Sequence, residues 1–222
     1  GTGRECVVVD PGFEAPRIIQ RIEELGKQPV AILLTHGHVD HIAGVGPLKS
    51  RWPEIPILIG RNDAPMLGDA KLNLSLWGGI PVTAPPADRL LAEGDTVDFA
   101  GLRFSILDIP GHSPGHIVYV WQQPLRTVVL GGDVLFQGSV GRTDFPYGDG
   151  PALIRSIRER PEPFSSTVAA ADTPICLEAG PFDSAENAQA TEAVRAVLPA
   201  GGWSNNTVSM PGEYLVYMGP YP

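Results

Sequence analysis

Short apolar runs recur along the chain, and most of them are bounded by glycine, proline or a charged residue. Runs of this length and composition are typical of buried β-strands. The predicted strands are ECVVVDPG (5–12), VAILLTH (30–36), PILIG (56–60), DTVDFAG (95–101), LRFSILDIPGH (102–112), HIVYVW (116–121) and TVVLGGDVLF (127–136). A tight turn is predicted at Ala100 and Gly101, where two of these runs meet.

A helical pattern follows the first strand. In PRIIQRIEELG (16–26) the apolar residues Ile18, Ile19, Ile22 and Leu25 fall on one helical face, and Gly26 is a typical helix stop. The alternation of strands and helices predicts an α/β fold, and the length suits a single domain over residues 1–222.

Further elements are predicted with less regular patterns. Residues 61–90 are rich in proline, glycine and alanine, which indicates irregular or short helical cover. Three more helices and one edge strand are predicted, at HIAGVGPLKSRWP (41–53), GPALIRSIRER (150–160), DSAENAQATEAVRAVLP (183–199, with a capping pair of Asp183 and Glu186) and TVSMPGEYLVYM (207–218).

Composition narrows the choice of partner and compartment. Acidic residues outnumber basic ones by 25 to 16, and the net charge of −9 is not clustered, which disfavours nucleic acid. The two cysteines, Cys6 and Cys176, lie in apolar runs, so we expect them to pack as small apolar groups in a reducing compartment. No apolar run reaches the roughly 20 residues that a membrane span needs, and we expect a cytoplasmic protein without a membrane partner.

The candidate chemistry begins at LLTHGHVDHIAG (33–44), which places three of the five histidines within six positions. His36 and His38 are two residues apart, so in an extended backbone their side chains point to the same side, and Gly37 allows a close turn around an ion. Asp40 and His41 follow as the chain bends towards a helix. This spacing indicates two adjacent metal positions rather than solvated loop histidines.

Two later motifs extend the set at strand ends, where α/β folds gather ligands. His112 follows LRFSILDI and supplies a third imidazole of a zinc-type site, whereas His112 alone would be read as a turn residue. Asp133 follows TVVL and adds a carboxylate that could bridge two ions. His116 begins a strand, and we expect it to hydrogen-bond locally rather than bind metal.

The motifs THGHVDHIAG, GHSPGH and GGDVLFQGSVGRTDFP resemble those of the metallo-β-lactamase fold superfamily, specifically its short glyoxalase II-like hydrolases. The resemblance is strongest over residues 5–160, and residues 161–222 diverge. It implies an αββα sandwich of two mixed sheets packed face to face with helices outside. It also implies that His36, His38 and His112 hold a first metal, Asp40 and His41 a second, and Asp133 bridges them. The hydroxide between such ions attacks an ester, thioester or lactam carbonyl.

Residues beside the ligands suggest supporting roles. Asp40 is placed to accept a hydrogen bond from the attacking water or to carry its proton, which makes it the candidate catalytic residue. Arg142 and Asp144, in GRTDFP, could clamp a substrate, but we favour mutual pairing that braces the site.

The sequence departs from the family in two places. An ungapped match of ADTPICLEAGPF (171–182) to the family's last metal motif puts Ala179 where a histidine is usual, and Glu178 is a poorly placed substitute. The family's opening strand is also missing. SMPGEYLVYM (209–218) could fill that edge as in a circular permutation, although an unrelated tail is the favoured alternative.

Three functions therefore compete. The leading one is a metal-dependent hydrolase of small thioesters or esters, with one tight zinc and a second ion weak or absent, and with iron or manganese as alternatives. The second resembles the persulfide dioxygenases, with one iron on His36, His112 and Asp133. The third is a catalytically weak relic of the fold. The physiological substrate and the oligomeric state do not follow from the sequence.

Overall fold

Four parallel strands open the chain, and four antiparallel strands follow them. The computed structural model describes residues 3–123, 126–137 and 139–160. The strands are β1 Glu5–Val9, β2 Gln28–Leu33, β3 Ile57–Gly60, β4 Arg89–Leu91, β5 Thr96–Phe99, β6 Leu102–Asp108, β7 Ile117–Gln123, β8 Arg126–Leu130, β9 Leu135–Phe136 and β10 Ser139–Val140. The α-helices are α1 Ala15–Glu24, α2 Val39–Ile42, α3 Val45–Arg51 and α4 Gly150–Glu159, and short 3₁₀ helices span Ala64–Gly68 and Ser75–Gly78.

The first sheet has the order β1-β2-β3-β4, with every neighbouring pair parallel. Each connection must carry the chain back to the end where the strand began, and α1 does so between β1 and β2. The segment between β3 and β4 contains both 3₁₀ helices, as the proline- and glycine-rich composition of residues 61–90 indicated. The carboxyl ends of β1, β2 and β3 therefore lie at one edge of this sheet.

The second sheet, β5-β6-β7-β8, is an antiparallel meander. The predicted tight turn is confirmed between the paired residues Phe99 and Leu102, because Ala100 and Gly101 both have positive φ, at 52° and 72°. Such turns match the twist of a hairpin. The resemblance implied mixed sheets, whereas each four-stranded sheet described here has one kind of pairing. Short turns join the second sheet and crossovers join the first, which accounts for the difference.

Alternation along the strands builds three apolar layers. In β2, Leu33 faces the second sheet, while Ile32 packs against the helices. In β7, Tyr119 faces the first sheet, and Val118 packs against α4. Helices therefore cover both outer faces of a two-sheet core, which is the predicted αββα sandwich.

The helices differ from prediction in two details. Ile22 is buried as expected, but Leu25 lies after the last turn of α1 and is 52% exposed. The single helix predicted over residues 41–53 is two helices, α2 and α3, separated at Gly44. A β-carbon on Gly44 would lie 2.7 Å from the carbonyl oxygen of Gly12, so the chain passes the β1 loop at a distance that only glycine permits.

The remaining predictions have mixed outcomes. Cys6 is half-buried against the apolar layer beneath α1, in agreement with its predicted packing. None of the helices in the described part of the chain has the length and apolar character that crossing a bilayer requires. Some predictions lie outside the described residues, namely those for Cys176, Glu178, Ala179, the helix over 183–199 with Asp183 and Glu186, and the edge strand over 207–218.

Replacing Leu33 with alanine is expected to lower the free energy of unfolding by about 2–5 kcal/mol, because this side chain is fully buried between the sheets. Leu25→Ala removes the same atoms from a side chain that is 52% exposed, and it should change that free energy by less than about 0.5 kcal/mol. Urea denaturation measures both variants. Equal losses would contradict the assignment of Leu33 to the core.

Candidate metal centre

The candidate ligands meet at one edge of the sandwich because each follows or precedes a strand that ends there. His36 and His38 lie between β2 and α2, His112 lies between β6 and β7, and Asp133 lies between β8 and β9. A backbone hydrogen bond from Ile117 N to Thr35 O, 2.9 Å long, joins the start of β7 to the end of β2. The two sheets are therefore joined at the point where their ligand loops begin.

Three of the predicted residues form a buried imidazole cluster. The ligand atoms of His36, His38 and His112 all lie within 4.8 Å of one another. His112 Nε2 is 3.2 Å from His36 Nε2 and 2.9 Å from His38 Nδ1. At most 3% of any of these residues is exposed, so bulk water does not solvate the cluster.

Hydrogen bonds outside the cluster determine where two of the protons lie. His112 Nδ1 is 2.7 Å from the carbonyl oxygen of Arg142, which only accepts, so Nδ1 carries the hydrogen and Nε2 does not. Thr35 Oγ1 donates to Asp10 Oδ2 over 2.7 Å, and its oxygen is 3.1 Å from His36 Nδ1, which must then be the donor.

The Nε2 atoms of His36 and His112 consequently both carry lone pairs, and they face each other across 3.2 Å. Two acceptors cannot hydrogen-bond each other, and burial keeps water away. His38 Nδ1 can donate to His112 Nε2 over 2.9 Å, but His36 Nε2 is then still without a donor, and His38 Nε2 has no partner. A cation between His36 Nε2 and His112 Nε2 would satisfy both atoms. The donor set therefore fits a divalent metal, and outer hydrogen bonds of this kind are those that orient histidine ligands in metal sites.

A second group shares one member with the first. The ligand atoms of His36, His41 and Asp133 also lie within 4.8 Å of one another. Asp133 reaches both groups, with Oδ2 3.5 Å from His112 Nε2 and Oδ1 3.3 Å from His41 Nε2. One oxygen of Asp133 is therefore close to each group. Asp40 belongs to neither group, although its Oδ2 is 3.6 Å from His41 Nε2.

The pKa values of His36, His38 and His112 are shifted in the opposite direction to that of His41. Burial, together with the neighbouring imidazoles, holds the pKa of His36 well below its usual range and lowers that of His38 to about 3. Burial also lowers the pKa of His112. These imidazoles are neutral at neutral pH, as metal ligands must be.

Carboxylates surround the ring of His41. Burial by itself would lower the pKa of His41, but contacts with Asp10 and Asp133 outweigh it and raise that pKa well above its usual value. Burial opposes ionisation of Asp133, yet the hydrogen bond and charge of His41 bring its pKa down to about 2. Burial raises the pKa of Asp40.

Asp10 and Thr35 support the centre and were not predicted from the sequence. Asp10 directly follows β1 with a φ of 44°, a left-handed conformation uncommon for a residue other than glycine. Its Oδ1 accepts from Thr35 N at 2.8 Å, and its Oδ2 lies 3.1 Å from His41 Nδ1. A polar residue at the end of an apolar strand was the pattern that identified Asp133, and it applies equally to Asp10 in ECVVVDPG.

Two neighbouring predictions have different outcomes: the pairing of Arg142 with Asp144 is confirmed, and the local hydrogen bond expected for His116 is wrong. His116 is fully buried and lies in neither ligand group, and its Nε2 accepts a hydrogen bond from Asp133 N at 3.1 Å. Its partner is distant in sequence rather than local. Arg142 and Asp144 pair through two hydrogen bonds of 2.9 and 2.8 Å, as predicted. The Arg142 guanidinium also lies over the Phe145 ring, whose edge contacts His38 and His112.

Comparisons with known proteins agree with this geometry. The family model described as the metallo-beta-lactamase superfamily matches residues 1–162. The chain is 41% identical to the probable metallo-hydrolase YqgX of Bacillus subtilis, over 70% of this chain and 73% of that protein. It is 39% identical to the hydroxyacylglutathione hydrolase GloC of Haemophilus influenzae, over 74% and 77%.

Solved structures give the same result. The BLEG-1 B3 metallo-beta-lactamase superposes with a TM-score of 0.68 at 38% identity, over 72% of this chain and 76% of that one. TTHA1623 in a di-iron-bound form superposes with a TM-score of 0.60 at 38% identity, over 69% and 74%.

The metal-free protein is expected to lose stability as the pH falls from about 6.5 towards 3, the interval between the ordinary pKa of a histidine and that of folded His38. In this interval the unfolded chain binds a proton at His38 that the folded chain does not. Each such group adds a slope of up to about 1.4 kcal/mol per pH unit. His38→Gln should therefore flatten the acid limb of the free energy of unfolding, measured in urea with a chelator present.

Asp98→Asn is the control, because Asp98 pairs with Arg103 on an exposed hairpin of the second sheet and not with the imidazole cluster. It should leave the acid limb as steep as in the parent. An unchanged slope in His38→Gln would contradict the prediction.

Proposed function

The chain belongs to the metallo-beta-lactamase superfamily, and from this premise we propose that it is a metal-dependent hydrolase of small thioesters or esters. The observation that carries the proposal is the buried cluster of His36, His38 and His112, whose inward lone pairs outnumber the hydrogens that can reach them and which a cation would satisfy together. Relatives named as a metallo-hydrolase and a hydroxyacylglutathione hydrolase support hydrolysis as the reaction class.

In this proposal His36, His38 and His112 would hold a first metal. Asp133 would be shared with a second, which His41 would hold together with Asp40, whose Oδ2 lies 3.6 Å from the His41 ring. Zinc suits the three imidazoles of the first group. Iron is an alternative, since the similar protein TTHA1623 is described in a di-iron-bound form. The proposed second position, with the carboxylates of Asp40 and Asp133 beside one imidazole, would favour a harder ion such as manganese or iron.

A divalent metal supplies a lowered pKa for bound water, about 7 in favourable sites, and polarises a carbonyl oxygen. The chain's own residues orient the ligand rings and provide a carboxylate for proton transfer. Arg142 O and Thr35 Oγ1 hold the His112 and His36 rings by their Nδ1 hydrogens, which keeps both Nε2 atoms directed inward. Burial raises the pKa of Asp40, which favours a role in which its carboxylate accepts a proton and later returns it.

The second metal position is proposed to be weak. The basis is the match of Ala179 to the position where the family carries its last histidine, and this residue lies outside the described part of the chain. Without that imidazole, the remaining ligands are Asp40, His41 and the shared Asp133. His41 also has a raised pKa, so a proton must leave it before a metal can bind.

Two other activities are alternatives to thioester or ester hydrolysis. A single iron on His36, His112 and Asp133 would leave open positions for oxygen and suit the persulfide dioxygenase alternative. Similarity to BLEG-1 makes a β-lactam a second candidate class of substrate. Metal analysis, sulfur-stimulated oxygen uptake and turnover of a chromogenic β-lactam beside a panel of thioesters distinguish them, and inactivity in all of them would favour a relic of the fold.

The partner that we propose is a small-molecule substrate. Nucleic acid is not proposed, because the chain has a net charge of −9 without a basic cluster.

His38→Ala is expected to abolish tight metal binding, because it removes one of three mutually close imidazoles. Metal content after dialysis, measured by inductively coupled plasma mass spectrometry, tests this. Asp98→Asn is the control, since Asp98 pairs with Arg103 on an exposed hairpin of the second sheet. Equal metal content in His38→Ala and the parent would refute the assignment.

Ala179→His is expected to raise the stoichiometry from about one metal ion towards two per chain. It should also increase thioester turnover at least about tenfold, because loss of a group that only supports a metal ligand already lowers affinity or activity by about that factor. Asp40→Ala in the Ala179→His background should remove the gain, because the restored histidine needs the rest of the second position. The assignment of Ala179 fails if the parent already retains two ions after dialysis. It fails equally if the variant shows neither extra metal nor faster turnover.

A further inference from the structure

A buried carboxylate lies between the two loops that carry the imidazole cluster. Asp63, just before the first 3₁₀ helix, has no exposed surface. Its Oδ2 accepts from Gly37 N at 3.1 Å and from Ser113 Oγ at 2.6 Å, and its Oδ1 accepts from Gly115 N at 2.6 Å. One side chain therefore hydrogen-bonds to both ligand loops.

Two of the residues that donate hydrogen bonds to Asp63 lie next to histidines of the cluster. Gly37 is the residue between His36 and His38, and Ser113 directly follows His112. A shift of either loop away from the other would have to break a bond to this carboxylate. The bonds to Gly37 and Gly115 use backbone amides, so they restrain the path of the chain and not only a side chain.

Close packing leaves this arrangement little freedom. A β-carbon on Gly37 would lie 2.5 Å from Met66 Cβ, and one on Gly115 would lie 2.4 Å from Asp63 N. Real β-carbons do not approach other atoms so closely. The segment containing Asp63 and Met66 therefore fits between the two loops because both loops carry glycine there.

We propose that Asp63 is a positioning residue that fixes the separation of the two histidine loops and thereby sets the affinity of the first metal position. The inference rests on the metal centre of the proposed function. The lone pairs of His36 and His112 repel each other when no ion is bound. Asp63 opposes their separation and keeps the cluster ready for a metal, which is the role that supporting groups have in metal sites.

The chemistry of Asp63 makes a conservative substitution informative. Three donors surround it, and an ionised carboxylate can accept from all of them. Asp63→Asn has almost the same shape, but its amide nitrogen must face either Gly115 N or Gly37 N, both of which are donors. An amide nitrogen towards Gly37 releases the His36–His38 loop, and one towards Gly115 removes one of the two bonds to the His112 loop. We therefore expect a 10- to 100-fold loss of zinc affinity, the range found for outer partners of metal ligands.

The measurement is competition for zinc against a chromophoric chelator, together with the visible spectrum of the cobalt-substituted protein. Altered ligand geometry should shift the cobalt bands, which a general loss of stability would not do. Asp88→Asn is the matched control, because Asp88 also accepts a backbone hydrogen bond, from Ile57 N at 2.8 Å, at the opposite end of β3 from the ligand loops. It should keep the parental affinity and spectrum.

Ser113→Ala covers the case in which Asp63→Asn does not fold. It removes one donor and leaves both backbone amides, so we expect a smaller loss of affinity, about two- to tenfold for one hydrogen bond. Parental affinity and spectrum in folded Asp63→Asn, or in Ser113→Ala if the first variant does not fold, overturn this inference and leave the metal centre intact. A parent that binds no metal overturns the proposed function and this inference together.

Discussion

Two imidazole nitrogens without hydrogens, on His36 and His112, face each other in a place that water does not reach. His38 can donate one hydrogen to His112 Nε2, which leaves lone pairs on His36 Nε2 and His38 Nε2 that a cation would satisfy. The surrounding chain must therefore hold the hydrogens of His36 and His112 on their outer nitrogens and prevent these rings from turning. Arg142 O does this for His112, and the Thr35 hydroxyl, itself held by Asp10, does it for His36. The rings are therefore oriented from outside the cluster, by groups that are not candidate ligands.

The pKa of His41, in the second group, is shifted in the opposite direction to the pKa values of His36, His38 and His112. Three carboxylates, from Asp10, Asp40 and Asp133, lie within 3.6 Å of the His41 ring nitrogens, and the pKa of that ring is raised. A metal entering there displaces a proton, whereas the first group offers imidazoles that are already neutral. This difference favours unequal affinities for two ions even before the sequence at Ala179 is considered. It also makes binding at the second position more sensitive to pH.

The ligand cluster could be predicted from the sequence because its members are recognisable by their local spacing or by their position after a strand. Asp63 had neither property: it lies in a segment interpreted as irregular cover, and its partners are at least 26 residues away in sequence. Periodicity also placed Leu25 on the buried face of α1, but it could not show that the helix ends one residue earlier. Long-range hydrogen bonds and exact helix ends depend on tertiary packing, which a local pattern does not contain.

Many of the restraints on the centre come from the backbone. His112 is held by a carbonyl, Asp133 N bonds to His116, and Gly141 passes so close to Asp133 that a β-carbon there would overlap its carbonyl oxygen. Backbone groups persist through most substitutions, so these restraints are inherited with the fold. Asp10 and Asp63, like Thr35 and His116, differ because each acts through a side chain that a single substitution removes. Divergence among proteins of this fold can therefore change metal affinity at these two carboxylates while both sheets and all proposed ligands stay unchanged.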